Sequence, residues 1–290
     1  MSKEKLLHWY EKNVMKLIFV TIALVLFAFI QIGMQFAATG DFVNKGVSLK
    51  GGSSITINQV HSVSDLQAFL ETEFPRGDVQ VRSINQGGKQ IGLTIDADAQ
   101  EEEEINFLTN SITTKLGLTE EDYTVEVIGS SLGKSFFRQT ITALLVAFFL
   151  MGLVVLIYFR SLVPSIAVIA AAASDLIVTV SIFNLTGISL STAGVAAFLM
   201  LIGYSVDTDM LLTTKVLKRK HLPFMQRVEE AMKTGVLMTT TTLTVILIAL
   251  IFVKSVVIKQ IMVILLIGLI VDFFMTWIQN VAILKWYLKQ

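Results

Sequence analysis

The stretch "ISLSTAGVAAFLMLIGYSVDTDMLLTTK", residues 188–215, runs from Ile188 to Leu212 without a Lys or Arg, yet carries Asp207 and Asp209. About 20 apolar residues suffice to cross the hydrocarbon core of a bilayer, so 188–212 reads as a membrane-spanning helix. An aspartate at the centre of such a helix costs roughly 2.5–3.5 kcal/mol, and two of them demand a purpose.

The rest of the chain repeats the pattern. Further apolar spans read at 14–36, 140–159, 163–183, 236–253 and 258–283. Of 290 residues, 53% are hydrophobic and only 16% charged, with a mean hydropathy of +0.69. A soluble chain would carry about 25% charged residues. This composition excludes a soluble globular protein and predicts a polytopic α-helical membrane protein with six transmembrane helices. The first span follows Lys3, Lys5, Lys12 and Lys16, but it is too long for a signal-peptide core of about 7–15 residues. It is therefore expected to stay as an anchor.

Lys and Arg near span ends set the orientation. Residues 1–13, the basic loop 213–235 and the tail 284–290 hold the basic excess and are expected in the cytoplasm. The turn "NLTGI" is uncharged, and Lys254 and Lys259 flank the other outer turn. Its "NLT" lies too close to the membrane to read as a glycosylation site. Residues 37–139 then form an extracytoplasmic domain, with both termini inside and the whole chain in the cell membrane.

Within that domain, 53–128 reads as strand, helix, strand, strand, helix, strand. "SSITIN" alternates in strand fashion, and "DLQAFLETEF" places Leu66, Phe69 and Leu70 on one helix face. "DVQVRSI" and "KQIGLTID" flank "NQGG", a hairpin signal. The "EEEE" at 101–104 opens a helix whose dipole an acidic first turn suits. Ile105, Leu108, Ile112 and Leu116 lie down one side of that helix, and "YTVEVI" closes the set. The order is that of a ferredoxin-like α+β domain.

The candidate site residues are the intramembrane acids. Asp175 lies deep in the third span, where Ala167, Ala171 and Asp175, like Ala170 and Ser174, recur at i, i+4 on a small-residue face that a neighbouring helix can approach. Asp209 stands about 200° round from Asp207, so the two cannot address one partner. One is expected to face the bundle, the other a second subunit or the cytoplasmic mouth. Gly203 shares a face with Asp207. Asp175, Asp207 and Asp209 are the proton-relay candidates, with the pair at the inner end of the path. Asp272 reads as a structural contact and a weaker candidate. The hydroxyls of "TTTTLT" offer hydrogen bonds to a neighbouring carboxylate. "GSSLGKS" at 129–135 is no phosphate-binding loop, because the required earlier glycine is Ile128. Without cysteines, and with His8, His61 and His221 scattered, no metal site, cofactor or catalytic constellation is expected.

Together "KGGSSI" at 50–55, "VIGSSLGKSF" at 127–136, "SDLIVTVSIFNLTG" at 174–187, "GYSVDTDMLLTTKVLKRK" at 203–220 and "AMKTGVLMTTTTLTVI" at 231–246 resemble the SecF family of protein-export membrane proteins, in the RND superfamily. The motif positions are Gly51, Gly52, Gly133, Gly203, Tyr204 and Ser205. The resemblance implies one half of an RND-type transporter. It implies a SecD partner, a SecY-type translocon beside it, a translocating polypeptide as cargo, and the proton-motive force as energy source. No enzymatic activity and no nucleic-acid partner are implied. Bacterial members carry an Asp where this chain has Thr208 and an Arg where it has Thr234, so the chain looks like an archaeal-type member with its acids rearranged. Half of a lipid or small-molecule exporter, and a passive assembly subunit, are the alternatives.

Overall fold

The computed structural model describes residues 3–75, 79–86, 89–219, 221–253 and 255–289. In chain order the elements are α1 (Lys3–Thr39), α2 (Val47–Lys50), β1 (Gly52–Ile57), α3 (Val63–Glu73), β2 (Val79–Gln86), β3 (Lys89–Ala97), α4 (Glu102–Leu116), β4 (Tyr123–Ile128), α5 (Ser130–Phe159), α6 (Leu162–Leu185), α7 (Thr192–Lys218), α8 (Phe224–Phe252), α9 (Val256–Phe274) and α10 (Val281–Tyr287). A π-helical turn, Met275–Asn280, joins α9 to α10. Among the described residues six helices are long and apolar enough to cross a membrane.

The domain between α1 and α5, the expected outer domain, is a four-stranded antiparallel sheet in the order β2-β3-β1-β4. Its helices α3 and α4 cover one face, burying Leu66, Leu70, Leu108 and Ile112 against Ile55, Ile57, Leu93 and Ile95. Ser62 caps α3, its hydroxyl accepting from the Asp65 amide at 3.3 Å. Glu102, Glu103 and Glu104 occupy the first turn of α4, and Gly117 ends it in the left-handed conformation (φ 66°), which glycine adopts without a side-chain clash. The tip of the "NQGG" turn and Lys254 lie outside the described residues.

The helices run beyond the expected spans. The helix α1 continues through the charged start "KEKLLHWYEK", whose residues favour a helix. The expected fourth span begins four residues late. Leu190 bridges to Lys45 in extended conformation, and Ser191 caps α7 by accepting from the Gly194 amide at 3.2 Å. Most of the expected cytoplasmic loop 213–235 is helix. It extends α7 to Lys218 and starts α8 at Phe224, where Pro223 sets the first turn. Its basic residues tie the two helices together. Arg227 donates to the Val216 and Leu222 carbonyls at 2.7 and 2.8 Å, satisfying backbone acceptors where α7 ends, and Arg219 pairs with Glu230. Lys215 reaches the Glu230 carbonyl and the Thr234 hydroxyl at 2.9 and 3.0 Å. Residues 130–139, expected in the outer domain, belong to α5.

The spans α6, α7 and α9 form the interior, and α1, α5 and α8 the periphery. Small residues let the inner helices approach: Ala167 and Ala171 are wholly buried, and a Cβ on Gly268 would stand 2.4 Å from Leu201 across the α7–α9 contact.

Candidate functional site

Each of the three interior helices brings one wholly buried aspartate to the bundle: Asp175 from α6, Asp209 from α7 and Asp272 from α9. The Ser205 hydroxyl, one turn before Asp209 on α7, donates to Asp175 Oδ2 at 2.5 Å. The Asp272 carboxyl lies beside both Asp175 and Ser205. The Thr276 hydroxyl stands 2.9 Å from Asp209 Oδ1 and 3.2 Å from Asp272 Oδ1, and the Asn280 amide donates to Asp209 Oδ1 at 2.7 Å. The chain Asp175–Asp272–Thr276–Asp209–Asn280 thus runs continuously across three helices.

Asp272, Thr276 and Asn280 recur at i, i+4, the spacing that keeps side chains on one helix face, and the π-turn over Met275–Asn280 reduces the roughly 40° by which each fourth residue would otherwise drift. On the neighbouring face Gln279 donates to the Ser174 hydroxyl at 3.1 Å, tying the same turn to α6.

Among the described residues no Lys, Arg or His pairs with these acids. Asp175 Oδ1, Asp209 Oδ2, Asp272 Oδ2 and Asn280 Oδ1 are buried and lack hydrogen-bond partners. Ionised carboxylates without a cation are costly in a low-dielectric interior, so the cluster is a place where charge is admitted only together with a proton or another cation. The described residues contain no group of three acidic, His or Cys side chains converging on a metal position.

The placement of the candidates departs from expectation at two points. Asp207 is exposed on the outer face of α7, in a stripe with Met200, Gly203 and Tyr204, and takes no part in the cluster. The 200° that separates it from Asp209 turns only one of the pair inward. Asp272, expected as a structural contact and a weaker candidate, sits between the other two acids. The "TTTTLT" hydroxyls do not reach a carboxylate either. Thr241, Thr242 and Thr244 bond carbonyls of their own helix at 2.8–3.1 Å. Thr276 and Asn280 follow Asp272 at i+4 and i+8, a spacing legible in the sequence, but nothing in the sequence shows that Asp209 of α7 packs against that face.

The glycine motifs meet elsewhere, where the outer domain joins the bundle. A Cβ on Gly133 would lie 2.5 Å from the Gly51 nitrogen, and one on Gly51 (φ 89°) 2.5 Å from Ser130 Cα. Gly52 (φ 124°) leaves room for the Ala97 carbonyl, 2.3 Å from where its Cβ would be. "KGGSS" and "GSSLGKS" are therefore two sides of one backbone crossing. On the opposite side of the domain, Lys259 of α9 donates to the Asn85 carbonyl of β2.

The sequence profile of the family described as "Protein export membrane protein SecD/SecF, C-terminal" matches residues 109–290. The protein-export membrane protein SecF of Pyrococcus furiosus is 37% identical over 289 residues, covering 99% of this chain and 96% of that protein. The SecF of Methanocaldococcus jannaschii is 37% identical over 280 residues, covering 93% and 94%. Among solved structures, SecDF of Thermus thermophilus, described as a translocon-associated membrane protein, superposes with a TM-score of 0.76 at 23% identity. The match covers 95% of this chain and 38% of that one, so the chain corresponds to little more than a third of the larger molecule. With its six apolar helices, its outer domain in the SecDF-like arrangement and near-full-length identity to archaeal relatives, the chain belongs to the SecF family of protein-export membrane proteins.

Proposed function

We propose that the chain works with a SecD partner beside a SecY-type translocon, and that proton exchange at Asp175, Asp209 and Asp272 couples the proton-motive force to movement of an exported polypeptide. The observation that carries this reading is the cation-free chain of three buried carboxyls, each with one unpartnered oxygen. Neutralising or charging one member changes which neighbours it can bond, and with them the preferred packing of α6 against α7 and α9. A proton crossing 100 mV releases about 2.3 kcal/mol, enough to bias a two-state packing by more than tenfold. The termini are placed in the cytoplasm and the sheet domain outside, following the distribution of Lys and Arg.

The test is proton uptake by proteoliposomes holding the chain with SecD, with and without an unfolded polypeptide. Asp175→Asn, Asp209→Asn and Asp272→Asn should each abolish the polypeptide-dependent uptake, whereas Asp207→Asn should retain it. Uptake that survives all three neutralisations would favour a second reading, in which the hydrogen bonds of Ser205, Thr276 and Asn280 make the acids fixed links between helices. On that reading the chain is a passive assembly subunit.

A further inference from the structure

The outer half of the bundle holds a cavity of about 330 Å³ between α1, α5, α6 and α7, walled by Ile32, Phe137, Ile141, Leu144, Ala173 and Phe198 among others, with an entirely apolar exposed surface. Its lining includes Ile32 of α1 and the exposed Leu145 of α5, and both are peripheral helices whose apolar side chains are largely exposed. At its mouth the Lys45 ammonium, paired with Asp41 at 2.6 Å, lies 4.3 Å from the centre of the Phe137 ring. Two more cations, Lys134 and Arg138, are exposed on the first turns of α5 and make no ion pair with the described residues. Arg138 precedes the lining residues Ile141 and Leu145 by three and seven positions, and Lys134 precedes Phe137 and Ile141 likewise. Such spacings set both cations on the helix faces that continue down into the cavity.

Polarity decides what fits. An extended peptide would bring backbone N–H and C=O groups to walls that offer them no partner. A hydrocarbon chain carries no such groups. Free cations above the opening favour a phosphate over a neutral headgroup, and the Arg fork matches phosphate oxygens. We propose that this cavity seats one hydrocarbon chain of an anionic membrane lipid, whose headgroup phosphate is held by Arg138 and Lys134.

The test uses the full chain with its SecD partner in lipid nanodiscs. The probe is a phosphatidylglycerol or a phosphatidylcholine bearing a diazirine in its acyl chain, with the labelled peptides mapped after irradiation. Labelling should concentrate on residues 137–148 relative to the equally lipid-facing stretch 245–252. Ala173→Trp, which fills the cavity, should bring the two stretches level. Leu145→Trp, at an exposed position of the mouth, does the same should the first variant fail to fold. Phosphatidylglycerol should outcompete phosphatidylcholine by about fivefold per basic residue, a preference lost in the Lys134→Gln/Arg138→Gln double variant. Labelling spread evenly over the bundle would overturn the proposal. So would equal use of the two lipids by the parent, or displacement of the lipid by an apolar segment of exported polypeptide.

Discussion

The hydroxyl of Thr276 is the narrowest point of the carboxyl chain, and Thr276→Val removes it while keeping the shape of the side chain. A threonine has one O–H to donate, so its contacts to Asp209 at 2.9 Å and Asp272 at 3.2 Å cannot both be donated bonds at one instant. The substitution therefore costs about one hydrogen bond, and Asp209 keeps its 2.7 Å bond from Asn280. Interhelical side-chain bonds in membranes average about 0.6 kcal/mol and reach about 1.7, so the stability loss should be about 1 kcal/mol. The effect on proton transfer should be far larger. A hydroxyl can accept from one carboxyl while donating to the next, and a methyl can do neither. Removing a positioned proton-transfer group typically costs about 10²-fold or more in rate. Polypeptide-dependent proton uptake with SecD should thus fall about a hundredfold in Thr276→Val and recover in Thr276→Ser, which restores the hydroxyl. Reversible unfolding in mixed detergent supplies the stability figure on the same preparations. A Thr276→Val protein with the parent's uptake rate refutes the relay through this residue. Equal loss in the Ser variant would instead assign the defect to packing.

Further expectations concern the outer domain and its attachment. Gly133→Ala should destabilise by about 1–3 kcal/mol, because the new methyl meets backbone atoms at 2.5 and 2.9 Å. Gly129→Ala, where the new methyl meets open space, is the matched control, and unfolding midpoints of the two compared with the parent check the pair. Arg82→Met breaks the ion pair to Asp96, leaving that mostly buried carboxylate only the Ser54 hydroxyl at 2.7 Å. Since Arg82 is a quarter exposed, the loss should be about 1–2 kcal/mol, read as faster amide exchange across β2 and β3. The Thr119 amide, at 2.8 Å, and the Thr119 hydroxyl, at 2.7 Å, hold the Asp122 carboxyl below its ordinary value of 3.8. A depressed carboxyl stabilises the fold above its unfolded value, and that contribution vanishes as pH falls through the folded one. Amide protection of 119–123 should accordingly weaken below about pH 4 in the parent, and Asp122→Asn should flatten the dependence.

The outer domain was legible because its signals are local and redundant. Period-two alternation in "SSITIN", a 3.6-residue stripe through Leu108 and Ile112, and an acidic first turn each point to the same fold. Hydropathy located the spans for the same reason, but it could not find their ends. The apolar run of α7 ends at Leu212 with no Gly or Pro before Pro223, so Lys215 and Lys218 continue the helix, and Lys215 reaches across to the Glu230 carbonyl and the Thr234 hydroxyl. The glycine motifs were visible as motifs and opaque as physics. Nothing in "KGGSS" shows that its first glycine must admit the backbone of a segment some eighty residues away.

The carboxyl cluster shows a sharper limit of periodicity. Counting 100° per residue correctly separated Asp207 from Asp209, yet it could not say which of them turns inward, because both faces of α7 are apolar enough to be buried. Ser205 breaks the tie: it faces Asp175, and Asp209, four residues on, inherits that face. On α9 the same count keeps Thr276 and Asn280 near the line of Asp272, but it does not show that Asp209 of α7 lies across from them. A π-turn is favourable only where tertiary contacts compensate its poorer local geometry, and here those contacts are the bonds to Asp209 and Ser174. The irregularity and the cluster therefore stabilise each other across three helices. A segment that owes its geometry to bonds with ionisable partners is also a segment whose geometry protonation can change. That links the shape of the α9–α10 junction to the charge state of Asp209.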